Sequence, residues 1–204
     1  VVSGTLLADG RLEIKTSVGL VQVKLSVLGE HNVRNALAAT AVALAAKVDL
    51  EAIRLGLESF QAVSGRMMAS QLGACLLIDD SYNASPSSFE AAIDVLAERS
   101  GRRVVVMGDM GELGDNKIQM HRQVGLYASQ SDIDGFYSVG DLSATAAEAF
   151  GGDHHSTKAS LIAALYEELQ LAQSNNSDIT FLVKGSRSSG MEKIVERLLS
   201  RGEG

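Results

Sequence analysis

The sequence predicts an α/β protein: a Rossmann-like, mostly parallel sheet domain with helices on both faces, preceded by a smaller piece made of a β-hairpin and helices. Three observations carry this. After residue 65, short apolar runs alternate with amphipathic stretches of helical length, the pattern of strands buried on both faces and joined by helical crossovers. Such crossovers are right-handed, which makes the sheet Rossmann-like. Before residue 60 the pattern differs, with period-two alternation followed by two alanine-rich helical stretches. The length, 204 residues, accommodates a compact domain of about 140 residues and an appendage.

Taken in order, Leu12, Ile14, Thr16 and Val18 share one register and Val21, Val23 and Leu25 another, separated by Gly19-Leu20. This reads as a hairpin or meander. Two or three strands with one apolar face are marginal alone, so a preceding segment is expected. Asn32 to Lys47 are almost all helix formers, and a second helix is expected from Leu50 to Phe60 with Asp49 as its N-cap. The domain boundary is placed at Gln61–Gly65, giving domains 1–64 and 65–204. Beyond it, strands are expected at Met67–Leu72, Cys75–Asp79, Arg103–Met107, Gly135–Val139 and Ile179–Val183. Helices are expected at Pro86–Arg99, Asn116–Gln130, Ser143–Phe150, Lys158–Gln173 and Met191–Leu199. Ser85-Pro86 has the form of an N-cap followed by proline at the first helical position, so Ser85 and Ser88 read as structural.

Composition removes several functional classes. The net charge is -7 with Lys and Arg scattered, which leaves no electrostatic footprint for nucleic acid or an anionic membrane. The longest apolar run, Ala36 to Ala46, is far shorter than the roughly 20 residues of a membrane span, and no signal peptide opens the chain. The single cysteine, Cys75, has apolar neighbours and no adjacent base, so it reads as a buried structural thiol in a protein of the reducing cytoplasm.

In an open α/β sheet, ligands bind beyond the carboxyl ends of the strands, and here those positions are polar. One strand runs into Asp80-Ser81-Tyr82-Asn83, another into Gly108-Asp109-Met110-Gly111-Glu112, and the last into Lys184-Gly185-Ser186-Arg187. The Asp79-Asp80 pair reads equally as a holder of ribose hydroxyls or a cation, or as an Asx turn. The glycines of Gly108–Gly114 are spaced G-x-x-G-x-x-G, which does not match a dinucleotide fingerprint and reads as a tight βα turn. Residues 184–190 place two cations and three hydroxyls before the last helix, where backbone N–H groups and the helix dipole favour anions. His154-His155 reads as a solvated turn rather than a metal site, and His121 as a packed or capping residue. The dipeptide Gly-Lys does not occur, so no G-x-x-x-x-G-K-[ST] loop is present to hold a triphosphate.

Five stretches, in order, resemble the Mur ligase family. Gly29-Glu30-His31-Asn32-Val33-Arg34-Asn35-Ala36 resembles the motif closing its central domain, Gly65-Arg66-Met67 its interdomain arginine segment, and Asp79-Asp80-Ser81-Tyr82-Asn83-Ala84-Ser85-Pro86 the aspartate loop of its C-terminal domain. The fourth is Met107–Gly114 and the fifth Leu182–Ser188. The resemblance implies that residues 1–64 end a central ATP-binding domain and that 65–204 form an acceptor-binding domain. It implies ATP, Mg2+, UDP-N-acetylmuramoyl-tripeptide and D-alanyl-D-alanine as the small molecules used, by way of an acyl phosphate attacked by the dipeptide amine, in a cytoplasmic monomer. By the same resemblance Asn32, Asn35, Arg66, Asp80, Tyr82 and Asn83 contact the nucleotide, and Lys184, Ser186 and Arg187 the acceptor. Arg66 and Lys184 are the cations expected to serve catalysis. No metal ligand is expected within the chain: the phosphate loop and magnesium ligands are expected in a preceding part, and the chain alone is expected to be inactive. Two other readings stay open, a phospho-receiver-like signalling domain and a non-catalytic module binding nucleotide or dipeptide.

Overall fold

The computed structural model describes residues 1–26, 29–60, 65–73 and 75–201. The chain divides into two compact units, Val1–Ala62 and Val63–Gly204. Of the boundary expected at Gln61–Gly65, only Gly65 lies among the described residues.

In the first unit β1 (Ser3–Leu6), β2 (Leu12–Thr16) and β3 (Gly19–Val23) form an antiparallel meander with β2 in the middle. Alternation buries Leu12 and Ile14 together with Val23, and Val33, Ala36 and Leu37 of α1 (Glu30–Ala45) complete the cluster. The expected register stops at Thr16, because Ser17-Val18 form the turn that pairs Thr16 with Gly19. Strand β1 was not anticipated, since Ser3–Leu6 lacks alternation and is defined by its pairing along β2. α1 starts earlier than expected, after Gly29 with φ 93, and ends before Lys47, whose φ of 63 is left-handed. α2 (Leu50–Ser59) begins as expected, with the Asp49 carboxylate accepting from the backbone of Glu51 and Ala52.

The second unit is a six-stranded sheet. Its strands are β4 (Met68–Leu72), β5 (Cys75–Asp80), β6 (Arg102–Gly108), β7 (Gly135–Val139), β8 (Asp153–His155) and β9 (Ile179–Lys184), in the order β4-β5-β9-β6-β7-β8. Only β4 is antiparallel to its neighbour. It is an edge strand with exposed and half-buried residues, whereas every residue of β9 is buried, as two covered faces require. α3 (Pro86–Ala97) packs on β6, β9 and α4 (Lys117–Gln130), and α4 on α5 (Ala144–Phe150). On the other face α6 (Lys158–Ser174) and α7 (Glu192–Arg201) join Leu77, Val104, Val106, Phe181 and Val183 in one core. Counting only the parallel strands from β5, the spatial order is 1-5-2-3-4, not the 2-1-3-4-5 of flavodoxin-like receivers. That weakens the signalling reading.

Strand β8 corrects the solvated turn expected at His154-His155. Its polar sequence has no strand pattern, yet it pairs with β7, the His154 ring bonds to Ser138 Oγ at 2.9 Å, and His155 stacks on Tyr137. The Ser85 cap is as expected, with a reciprocal box to Ser88 and Pro86 at the first helical position. Cys75 is buried at the start of β5, and desolvation pushes its thiol up to about 12. Native protein should therefore fail to react with a disulfide reagent at neutral pH and react fully in denaturant; rapid labelling of the native chain would contradict this.

Candidate functional site

The carboxyl ends of β5, β9 and β6 meet on one rim, where Asp80 pairs with Lys184 and Lys184 with Met107. The loop after β5 leads to α3 on one face and the loop after β9 to α7 on the other. Neighbouring strands whose following loops part in this way leave a crevice between them.

Alternation along β9 turns Phe181 and Val183 toward α6 and α7, so Lys184 points the other way, over the Phe89 ring of α3 at 5.5 Å. It is 2% exposed. Its ammonium donates to the Asp80 carboxylate and, at 3.0 Å, to the Asn83 carbonyl. The sequence presents Lys184 as a cation open to a ligand; the structure uses it to fix the loop after β5. The second Asp80 oxygen accepts from Met67 N at 3.1 Å.

Of the acidic pair, Asp79 follows the Asx-turn alternative. Its Oδ1 accepts from Ser81 N and Ser81 Oγ, forming an Asx turn, and its Oδ2 accepts from Gly65 N at 3.0 Å. Tyr82 N returns a bond to Gly65 O at 2.8 Å. Two carboxylates at the end of β5 thus hold the backbone on both sides of Arg66. Gly65 takes φ 79 there, and a Cβ on it would lie 2.7 Å from Tyr82 N, so only glycine fits. Arg66 is exposed and its guanidinium lies 4.3 Å from the Tyr82 ring centroid, with that of Arg187 at 5.9 Å. Among the described residues neither arginine has a carboxylate partner. The result is an exposed aromatic ring with two cations over it that lack carboxylate partners among the described residues, which suits an anion or a flat, electron-rich ring.

Sequence reasoning missed the role of Asp109. Its carboxylate Oδ1 accepts from Leu142 N and Ser143 N at the start of α5, and its carbonyl accepts both the amide and the hydroxyl of Ser186. Ser186 is consequently buried. No local pattern discloses such contacts, because the partners lie more than thirty residues away. Gly108 and Gly185 are needed where the two loops touch, since a Cβ on Gly185 would sit 3.1 Å from Gly108 Cα. His121 is a packed residue, as expected. Met110 N donates to its Nε2 at 2.8 Å, so Nδ1 carries the proton and donates to Lys117 O at 2.6 Å. His121→Ala should lower stability by about 1–3 kcal/mol by leaving a buried amide without an acceptor. Denaturant unfolding checks this, and a loss within error would show that Met110 is not held through the ring.

The remaining residues expected at the nucleotide, Asn32 and Asn35, are in the first unit, on α1, with Asn35 Nδ2 3.4 Å from Asn32 Oδ1. Among the described residues no group of three or more His, Cys, Asp or Glu side chains could hold a metal ion, and no helix is long and apolar enough to cross a membrane.

Residues 65–187 match the family described as Mur ligase, glutamate ligase domain. The chain is 44% identical over 191 residues to UDP-N-acetylmuramoyl-tripeptide--D-alanyl-D-alanine ligase of Escherichia coli (strain K12), covering 93% of this chain and 41% of the relative. The enzyme of the same name from Bacillus subtilis (strain 168) is 34% identical, covering 86% and 39%. The chain thus spans about two fifths of the length of these curated relatives. Among solved structures, MurF from Acinetobacter baumannii superposes with a TM-score of 0.84 at 38% identity, covering 97% of this chain and 44% of that one. The MurF ligase from Thermotoga maritima in complex with ADP gives 0.76 at 25%, covering 100% and 46%.

Proposed function

The chain belongs to the Mur ligase family, and from that premise we propose that it works within an ATP-dependent amide ligase that adds D-alanyl-D-alanine to UDP-N-acetylmuramoyl-tripeptide. In this reading residues 1–64 belong to the ATP-binding domain and 65–204 bind the acceptor. The observation that carries the proposal is the rim itself. Arg66 and Arg187 both lie over Tyr82, without carboxylate partners among the described residues, beside the switch point of the sheet. All three substrates of this reaction bring phosphates or carboxylates, and such anions are what unneutralised guanidinium groups select. The relative from Thermotoga maritima is described in complex with ADP, which supports a nucleotide here.

ATP supplies the phosphoryl group that makes the tripeptide carboxylate reactive. The residues of this chain have positioning and electrostatic work. Arg66, fixed through its neighbours Gly65 and Met67 by Asp79 and Asp80, offers positive charge to the transferring phosphoryl group. Tyr82 and Asn83 lie on the loop that meets the nucleotide with Asp80. Lys184 acts from beneath: by binding Asp80 and the Asn83 carbonyl, it sets the loop that presents Tyr82. Ser186, tied to Asp109, aims Arg187 at the acceptor. Asp79 and Asp80 already accept amide, hydroxyl and ammonium hydrogens, and among the described residues no cluster of three ligating side chains surrounds them. These residues do not fit a magnesium site, and no step is assigned to the ion within this chain.

The test supplies what the relatives have beyond the matched region. Residues 1–204 are joined to the preceding portion of the Escherichia coli relative, and ADP formation is measured with tripeptide substrate and candidate acceptors. Turnover that depends on D-alanyl-D-alanine is expected; turnover with a single amino acid and not with the dipeptide would defeat the acceptor assignment. In the same enzyme Arg187→Ala should raise the dipeptide KM about tenfold, a lost charge-assisted bond, with the KM for ATP nearly unchanged.

A further inference from the structure

We infer that a small pocket between the loops after β6, β7 and β9 receives the C-terminal residue of the acceptor, and that Lys158 reads its carboxylate. This rests on the acceptor reading given above and names the residue that decides which acceptor ends are allowed. The pocket has a volume of about 160 Å³ and is lined by Asp109, Val139, Gly140, Lys158, Ser188 and Ser189. With roughly 30 Å³ per water-sized group, it holds about five or six heavy atoms. That matches one alanyl residue.

The lining matches the chemistry of such an end. Lys158 is the first residue of α6, behind the Thr157 cap, where a cation opposes the helix dipole. Half-buried, it has no carboxylate partner among the described residues. Lys158 Nζ and a Glu192 oxygen approach the Cβ position of Gly190 to 3.4 and 3.7 Å without forming an ion pair, and the second Glu192 oxygen is buried without a hydrogen bond. Lys158 therefore makes no direct ion pair among the described residues, at a helix end that disfavours its charge. A ligand carboxylate supplies the missing partner. Across the pocket, Asp109 uses Oδ1 on the start of α5, while its Oδ2 makes no hydrogen bond among the described residues. That oxygen is placed to accept the amide N–H of the same terminal residue, and Val139 offers an apolar wall to a methyl group.

The experiment uses the 204-residue chain and follows the backbone amide NMR signals of Gly140, Ser188 and Ser189 during titration. The probes are D-alanyl-D-alanine, D-alanyl-D-alaninamide and free D-alanine. The dipeptide should shift these signals, with binding at least about tenfold weaker for the amide and for Lys158→Gln, as loss of a charged hydrogen bond requires. Lys158→Arg should retain binding. Lys158→Gln removes a cation from a helix N-terminus, so its melting temperature should not fall. Dipeptide binding of equal strength in Lys158→Gln, or shifts confined to Ser186 and Arg187, would overturn the inference and leave the acceptor reading standing. Lysine-dependent shifts with free D-alanine but not with the dipeptide would support the pocket as a carboxylate site and defeat the dipeptide reading. Silence with all three probes would overturn the inference.

Discussion

Replacing Lys184 with Met is expected to destabilise the second unit by about 3–5 kcal/mol, because it leaves the Asp80 carboxylate half-buried without its counter-charge. The partners are 2% and 14% exposed at the side chain, so water cannot take over. Asp80→Asn should act in the same direction, and it also weakens the acceptor that Met67 N uses. Combining Lys184→Met with Asp80→Asn should cost much less than the sum of the single changes, since the double variant strands no charge. Urea unfolding followed at the second unit measures all three. A loss under about 1 kcal/mol for Lys184→Met would be the value of a solvated surface pair and would contradict the placement of this lysine. The prediction also separates two roles. If Lys184 only positions the loop after β5, its loss lowers stability together with activity, whereas a lysine that met the acceptor directly would change KM with little change in unfolding.

Arg66→Ala should reduce the D-alanyl-D-alanine-dependent kcat of the joined enzyme by about 10²–10³, the effect of removing one preorganised donor from developing charge. Stability should change by no more than about 1 kcal/mol, because an exposed arginine over an aromatic ring contributes on that scale. Arg66→Lys should recover only part of the rate, since an ammonium neither stacks on Tyr82 nor presents a planar fork. The measurement is kcat at saturating ATP and dipeptide, with a melting curve for each variant. A kcat within about threefold of the parent, against the expected catalytic loss, would remove Arg66 from the catalytic role and leave it a surface contact to Tyr82.

Most of the architecture is legible in the sequence because it depends on local patterning. Uniformly apolar runs specify β5, β6 and β9 as strands covered on both faces, and Asp49 and Ser85 announce their helices through local cap chemistry. The rim was legible as well, since strand ends in such a sheet are where ligands bind. Tertiary structure alone decided which polar residues remain available. Both aspartates ending β5 look equally free in the sequence, yet Asp79 is engaged with Gly65 and Ser81, and Asp80 with Lys184 and Met67. Lys184 and Arg187 stand three positions apart in the same loop region, but one is buried in an ion pair and the other reaches Tyr82. Strand β8 exists because β7 offers it a ladder, not because Asp153–His155 favour extension. Secondary structure follows from short-range periodicity that the chain carries in its own order. The fate of a charge depends on partners brought from up to 104 residues away, and no local pattern encodes that distance.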